Sequence, residues 1–513
     1  MTTQAAYKFR WWALACLVLS LLVIGFDMTI LNVALPTMSK ELNAGTGDLQ
    51  WVMDAYLLVF ATLLIPAGSL GDRYGRKKLL LLGLLLFGIT SIAAGFATNI
   101  ETVIVARACM GIGGAILMPL TFSILPTIFP PEEQGKASAI WAASSSFGLL
   151  IGPFLGGLLI EHFSWGSVFF INVPIVFTVL VAGIYFIPES KNPNAPRIDW
   201  LGMILSTSGF TLLIYGIIEA PQAGWFHSES IVCMIGGFIA LTAFIVWQKM
   251  ARAPMVDLQL FRIRSFTWAT IALCFIMFVL NGFLFFVTQY LQFTLNNSAY
   301  ETGIKLIPFM AGMVVSSLLC NRLSTVLGNK LVLVAGINIL AAGLLIFSFV
   351  RPETGYHFTA VCLTIQGIGV GFSMAPAMTA VMSSLPIAQV GVGAGVNNAL
   401  RQVSGTLGVA ILGSIVSSTY SDRLLATIEL HEKYADTVTK SIGTAFNIIT
   451  SFSESDRAAL VRNINAAFID GMNLALTISA GIMFLGAVLI FALLPNQLKA
   501  NETRKNNHSG ETI

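Results

Sequence analysis

Fourteen separate stretches of this chain are apolar over about 20 residues or more, the length at which a helix rising about 1.5 Å per residue crosses roughly 30 Å of hydrocarbon. They fall at 12–35, 51–70, 79–98, 101–124, 137–160, 166–187, 200–218, 230–248, 266–292, 303–321, 331–350, 357–384, 392–418 and 467–494. In lipid the backbone must satisfy its own hydrogen bonds, so such spans fold as helices. Composition agrees. Of 513 residues, 56% are hydrophobic and 10% charged, against about 25% charged in a soluble chain, and the mean hydropathy is +0.81. The expected fold class is an all-α integral membrane protein with 14 transmembrane helices.

An even number of spans puts both termini on one side. With that side cytoplasmic, the inner segments carry eighteen Lys and Arg residues and the outer segments seven, five of them in the long loop 419–466. The positive-inside rule selects this orientation. The basic N-terminal flank resembles a signal peptide in charge order, but its apolar run continues to Pro36 without a small-residue cleavage site, so it reads as an uncleaved first span. Short loops point to a bacterial inner membrane. Loop 419–466 reads as one or two amphipathic helices, either a hairpin over the outer mouth or a solvated connector.

Several function classes fall away. The net charge of +3 is spread over short loops and forms no basic patch for nucleic acid. The six cysteines share no short spacing and lie in apolar runs, which excludes a disulfide framework or zinc site and leaves packing as their role. No G-x-S-x-G, H-E-x-x-H or phosphate loop is present, so a membrane enzyme has no catalytic constellation to stand on. "GIGVGF", Gly367 to Phe372, lies inside a span and reads as small-residue helix packing.

The expensive residues are then the informative ones. A carboxylate at the centre of a span costs about 2.5–3.5 kcal/mol on insertion scales. Asp27 stands in "LLVIGFDMTILNVALP", with Asp54 in the second span and Arg107 in the fourth as its nearest intramembrane ionisable candidates. Desolvation favours the neutral acid and a nearby arginine favours the anion. A carboxylate moved between these environments changes its proton affinity with conformation, which is what proton-coupled exchange requires. The other reading is a buried ion pair with Arg107 that only holds two spans together. Tyr56, Asn281, Gln289, Gln292, Asn398, Arg401 and Gln402 are further candidate cavity contacts, or simply bonds across helices. No carboxylate lies in spans 9 to 13, which favours monovalent lipophilic cations or neutral compounds over divalent cations.

Three motifs carry a family resemblance. "GSLGDRYGRKK" packs Gly68, Asp72, Arg73, Gly75 and Arg76 into a very short turn after the second span. "RACMGIGGAILMP" follows Arg107 with glycines, and "GLLIGPFLGGLL" supplies Gly148, Gly152, Pro153, Gly156 and Gly157 in the fifth span. With "DMTILNVALP", "SWGSVFFINVPI" and "PMVDLQLFRIRSF", these resemble the major facilitator superfamily, and within it the fourteen-span drug:proton antiporters, over essentially the whole chain. Gly166 departs from the family, which often has a basic residue there.

The resemblance implies a major facilitator fold of two six-helix bundles with two inserted helices: 1–190, an insertion at 191–262, and 263–513 including the outer loop. It implies a proton-coupled exporter of hydrophobic compounds, either multidrug or dedicated to one metabolite, lipid or natural antibiotic. Protons serve as coupling ion, with no cofactor or metal. The expected partners are small hydrophobic substrates, protons and membrane lipid, with no nucleic acid, and the expected state is a monomer. It further implies that Asp72, Arg73 and Arg76 latch the two halves at the cytoplasmic start of span 13, and that the span-five motif governs helix bending and sealing against proton leak. "NRLSTVLGNK", Asn321 to Lys330, is a weak internal echo of the "GDRYGRKK" turn.

Overall fold

The computed structural model describes residues 9–42, 44, 46–191, 198–223, 227–251, 254, 256, 258–385, 390–427 and 454–495. Every one of the fourteen apolar windows falls on helix. Twelve helices are long and apolar enough to cross a membrane, and a thirteenth crosses if its two bent halves, Trp51–Leu64 and Pro66–Tyr74, count as one span. The remaining window lies on a 32-residue helix, Pro131–His162. No strand occurs among the described residues.

The chain divides into two compact units. The first comprises Met1–Leu260 with Leu385–Val403, and the second Phe261–Ser384 with Ser404–Ile513. The helices at Trp200–Ala223 and Ser228–Met250 fall in the first unit. That unit contains α1 (Arg10–Glu41), α2 (Thr46–Tyr74), α3 (Arg76–Gly95), α4 (Ile100–Ile128), α5 (Pro131–His162), the short α6 (Ser167–Phe170), α7 (Asn172–Phe186), α8 (Trp200–Ala223) and α9 (Ser228–Met250). The second contains α10 (Arg264–Gln289), continued by a π-helical turn at Tyr290–Thr294, then α11 (Ala299–Lys305), α12 (Ile307–Leu327), α13 (Asn329–Phe347), α14 (Tyr356–Ser384) and α16 (Glu454–Leu493). Helix α15 (Val390–Thr427) contributes to both.

Backbone chemistry sets the helix ends. Asn99 accepts the Thr102 N–H at 2.8 Å and opens α4, and Ser298 with Glu301 forms a capping box at α11. The amides of Lys77 and Lys78, at the start of α3, donate to the Glu189 carboxylate at 3.2 and 3.3 Å. The turns before α3 and α13 share one device. Gly75 (φ 114°) and Gly328 (φ 86°) are the positive-φ glycines among the described residues, and each immediately precedes its helix. Only glycine takes such angles without a Cβ clash. The weak echo between the two halves is thus a shared backbone conformation.

Helices α15 and α16 are 38 and 40 residues long, so α16 measures about 60 Å, roughly twice the hydrocarbon core. Of the loop expected at 419–466, the flanks 419–427 and 454–466 are continuations of these two helices, and 428–453 lies outside the described residues.

Within the first unit, α1 packs along α5, and α2 and α3 pack along α4. Glycines permit the first of these contacts. A Cβ built on Gly148 would stand 3.0 Å from Gly25 Cα, and one on Gly156 would stand 2.9 Å from Ile30 O. At Gly152 it would collide with the Thr29 side chain. These three glycines therefore bring α5 against residues 22–30 of α1, the segment that contains Asp27. The glycines of "GIGVGF" do the same in the second unit, where a Cβ on Gly369 would lie 2.5 Å from Leu340 N and one on Gly371 2.6 Å from Met313 O.

Overpacking at a backbone contact costs about 1–3 kcal/mol. Gly148→Val is expected to lower the thermal midpoint of the detergent-solubilised protein by several degrees. Gly481→Ala, at a helical position with open space beyond it, is expected to leave the midpoint unchanged or slightly raised. Equal midpoints for both variants would refute the close-approach assignment.

Candidate functional site

Among its described residues the first unit buries one ion pair. Asp27 of α1 is 1% exposed and Arg107 of α4 is fully buried, and Arg107 Nη1 donates to Asp27 Oδ2 at 2.5 Å. Arg107 has two further anchors, both on α2. Its Nε donates to the Val52 carbonyl at 3.0 Å, and its guanidinium carbon lies 4.3 Å from the centroid of the Tyr56 ring. Arginine suits this arrangement because its donors form a planar fork whose face can stack on an aromatic ring. Asp27 forms no other hydrogen bond among the described residues, so Oδ1 is left unoccupied. The Tyr56 hydroxyl is buried and has no hydrogen-bond partner among the described residues.

Local sequence explains the placement. Glycines at 111 and 114 bring α2 close to α4. A Cβ on Gly111 would stand 2.7 Å from Tyr56 O, and one on Gly114 would stand 2.7 Å from the Tyr56 hydroxyl. Tyr56 also stacks on Phe60, one turn along, with centroids 5.6 Å apart.

The structure thus brings Asp27 and Arg107 together and leaves Asp54, half-buried two residues beyond Val52, outside their hydrogen bonds. The anchoring Val52 carbonyl escapes sequence reading because every residue carries one. A tyrosine one turn beyond Val52 in the neighbouring span is the signal that was available for the stacking contact.

The remaining candidates are dispersed. In the turn before α3, Arg76 pairs with Asp72 at 2.8 Å and its Nη1 donates to Ser123 O at 3.1 Å. Arg73 is exposed, and Gly68 and Gly75 are buried. Gly157 is buried beside Gly156, and α5 runs unbroken through Pro153. Asn398 is buried, Arg401 Nη1 donates to it at 3.4 Å, and Gln402 is half-buried. In the second unit Asn281 fills the space left by Gly405. Gln289 Nε2 donates to Phe285 O of its own helix at 3.3 Å, and Gln292 lies half-buried in the π-helical turn. No cluster suited to a metal ion occurs among the described residues.

The first unit thus buries an ion pair inside a bundle of apolar helices, and comparison with known proteins places the chain. The family model of the Major Facilitator Superfamily matches residues 17–409, and the protein belongs to that family. The multidrug efflux pump LfrA of Mycolicibacterium smegmatis is 30% identical over 481 residues, covering 94% of this chain and 95% of the relative. The multidrug resistance protein Stp of Mycobacterium tuberculosis is 33% identical over 414 residues, covering 80% and 76%. The methyl viologen resistance protein SmvA of Salmonella typhimurium is 30% identical over 93% and 96% of the two chains. The crystal structure of the human organic anion transporter MFSD10 shares the fold, with a TM-score of 0.61 at 13% identity over 96% of this chain and all of that one. The protein is thus a multi-pass membrane transporter related to drug-resistance exporters.

Removing one partner of a buried ion pair costs about 3–5 kcal/mol, because the other charge is stranded. Arg107→Met is expected to reduce the yield of folded protein sharply. Adding Asp27→Asn to it should restore yield, since no charge then remains unpaired, without restoring transport. Yield in detergent by size-exclusion chromatography reads this out, and a double variant no better than Arg107→Met would refute the pairing as the cause.

Proposed function

We propose that this protein is a proton-coupled multidrug efflux antiporter that exports lipophilic compounds, monovalent cations or neutral molecules, by alternating access. The observation that carries the reading is the Asp27–Arg107 pair, with one carboxylate oxygen unoccupied and the arginine held independently by Val52 and Tyr56. Asp27 is the proposed exchange site and Arg107 its counter-charge.

Charge alone makes the two ligands exclude each other. The pair is neutral. A proton on Asp27 leaves the site at +1, and so does a monovalent cation bound beside the intact pair. Both together put two positive charges within about 6 Å, a repulsion of about 3 kcal/mol at an effective dielectric of about 20, or roughly a hundredfold against joint occupancy. A transmembrane potential adds about 2.3 kcal/mol per charge per 100 mV to whichever step moves the charge. Asp72, Arg73 and Arg76 are the proposed latch that sets the balance between the two access states, and Asp54 is a secondary proton site. The proposed location is a bacterial inner membrane with both termini cytoplasmic.

A second reading on the same fold is a dedicated exporter of one natural antibiotic. It is favoured by relatives named for single compounds, the tetracenomycin C resistance and export protein of Streptomyces glaucescens at 29% identity and the puromycin resistance protein of Streptomyces alboniger at 28%.

Proton release from purified protein on adding ethidium tests the main reading. The parent is expected to release protons and Asp27→Asn to release none. A neutral lipophilic ligand that binds should release few, because it adds no charge to the site. Undiminished release from Asp27→Asn would move the exchange site elsewhere. Affinity for one compound far above a panel of unrelated lipophilic cations would favour the dedicated exporter.

A further inference from the structure

Helices α8 and α9 have no part in the exchange chemistry above, yet they form a stiff hairpin tied at both ends. Between them, a Cβ on Gly237 would stand 2.5 Å from Leu213 N and 2.9 Å from Gly209 O, and one on Gly216 would stand 2.9 Å from Ser230 O. At one end, the Asp199 carboxylate gathers three donors: Gly202 N and Trp247 Nε1 on Oδ1, each at 2.8 Å, and Gln248 Nε2 on Oδ2 at 2.6 Å. Gln248 Oε1 in turn accepts from Val256 N at 3.0 Å. Asp199 thereby caps α8, fastens α9 to it and fixes the start of the following linker.

The hairpin meets the bundle through α8, which packs along α2, and only 17% of the apolar window of α9 is buried. At the end away from Asp199, Tyr215 lies against Trp51 with ring centroids 5.6 Å apart. Trp51 directly precedes Val52, whose carbonyl holds Arg107, and Tyr56 follows one turn later beneath the guanidinium. The two halves of α2, Trp51–Leu64 and Pro66–Tyr74, meet at a 53° bend. The half carrying Trp51, Val52 and Tyr56 is held to α4 at Gly111 and Gly114, and α8 meets it at Trp51 through the Tyr215 ring.

We propose that the α8–α9 hairpin buttresses the first half of α2, and that Tyr215 and Trp51 are positioning residues for the Asp27–Arg107 pair, acting through the Val52 carbonyl and the Tyr56 ring. The mechanical part stands on geometry alone. Its consequence for transport rests on the reading of that pair as the exchange site.

Hydrogen–deuterium exchange of residues 46–56, measured on the full-length protein in detergent, tests the buttress independently of transport. Tyr215→Ala is expected to raise amide exchange there several-fold, Tyr215→Phe to leave it at the parental level, and Asp199→Ala, at the far end of the hairpin, to raise it as well. Ethidium-driven proton release should slow about two- to tenfold in Tyr215→Ala, the span of an aromatic pair contact, and be restored in Tyr215→Phe. Parental amide exchange in Tyr215→Ala would overturn the buttress even with antiport intact. Raised exchange with parental release kinetics would overturn its link to the ion pair. A parent that releases no proton would sink the antiport reading, while the amide exchange still decides the buttress.

Discussion

The arrangement of the first unit follows from the cost of placing Asp27 and Arg107 in a low-dielectric interior. Each charge alone would be costly in a span, and together they are neutral and hydrogen-bonded at 2.5 Å. That solution requires three helices to converge within a few ångströms. Helix α4 supplies the guanidinium, α1 the carboxylate, and α2 a carbonyl and an aromatic face. Glycines make the convergence sterically feasible: Gly111 and Gly114 admit α2 against α4, and Gly148, Gly152 and Gly156 admit α5 against α1. Without a hydrophobic driving force between helices in lipid, such backbone-to-backbone packing is a main source of cohesion. The glycines bring α2 against α4 and α5 against α1, and the ion pair itself ties α1 to α4.

Much of this architecture was legible in the sequence, for identifiable reasons. Lipid demands long apolar helices, so the twelve or thirteen helices able to cross a membrane among the described residues announced themselves by hydropathy, and the window at 137–160 also falls on helix. Asp27 and Arg107 stood out because charge in a span is rare and costly. Asp54 stood out for the same reason, and the structure leaves it outside the pair's hydrogen bonds. Which charges meet depends on how helices rotate about their axes, and hydropathy carries no information on rotation when a helix is apolar all round. The motif in α5 named its glycines but not the helix they meet. The extents of α15 and α16 were understated because polar helical continuations have no hydropathy signal. Asp199 could have been read as a cap, since it immediately precedes the span that opens at Trp200.

The geometry of the pair also bears on how it could exchange ligands. A bidentate arginine–carboxylate contact is the stronger arrangement, but it occupies both oxygens and ties the arginine's position to the carboxylate. Here Arg107 engages Oδ2 alone, and its other holds, the Val52 carbonyl and the Tyr56 ring, are indifferent to the charge on Asp27. Hydrogen bonds to charged groups contribute about 1.5–3 kcal/mol, and a desolvated cation–π contact about 2. Summed, they approach the 3–5 kcal/mol that stranding a buried charge costs. In the proposed cycle, neutralising Asp27 therefore need not expel Arg107 from the bundle. A buried pair needs its remaining donors satisfied in any role; in the proposed cycle the same anchors also hold Arg107 while Asp27 is neutral. In that proposed cycle the Tyr56 hydroxyl, without a partner among the described residues, and Asp27 Oδ1 are the groups at the pair left to take a proton or a ligand.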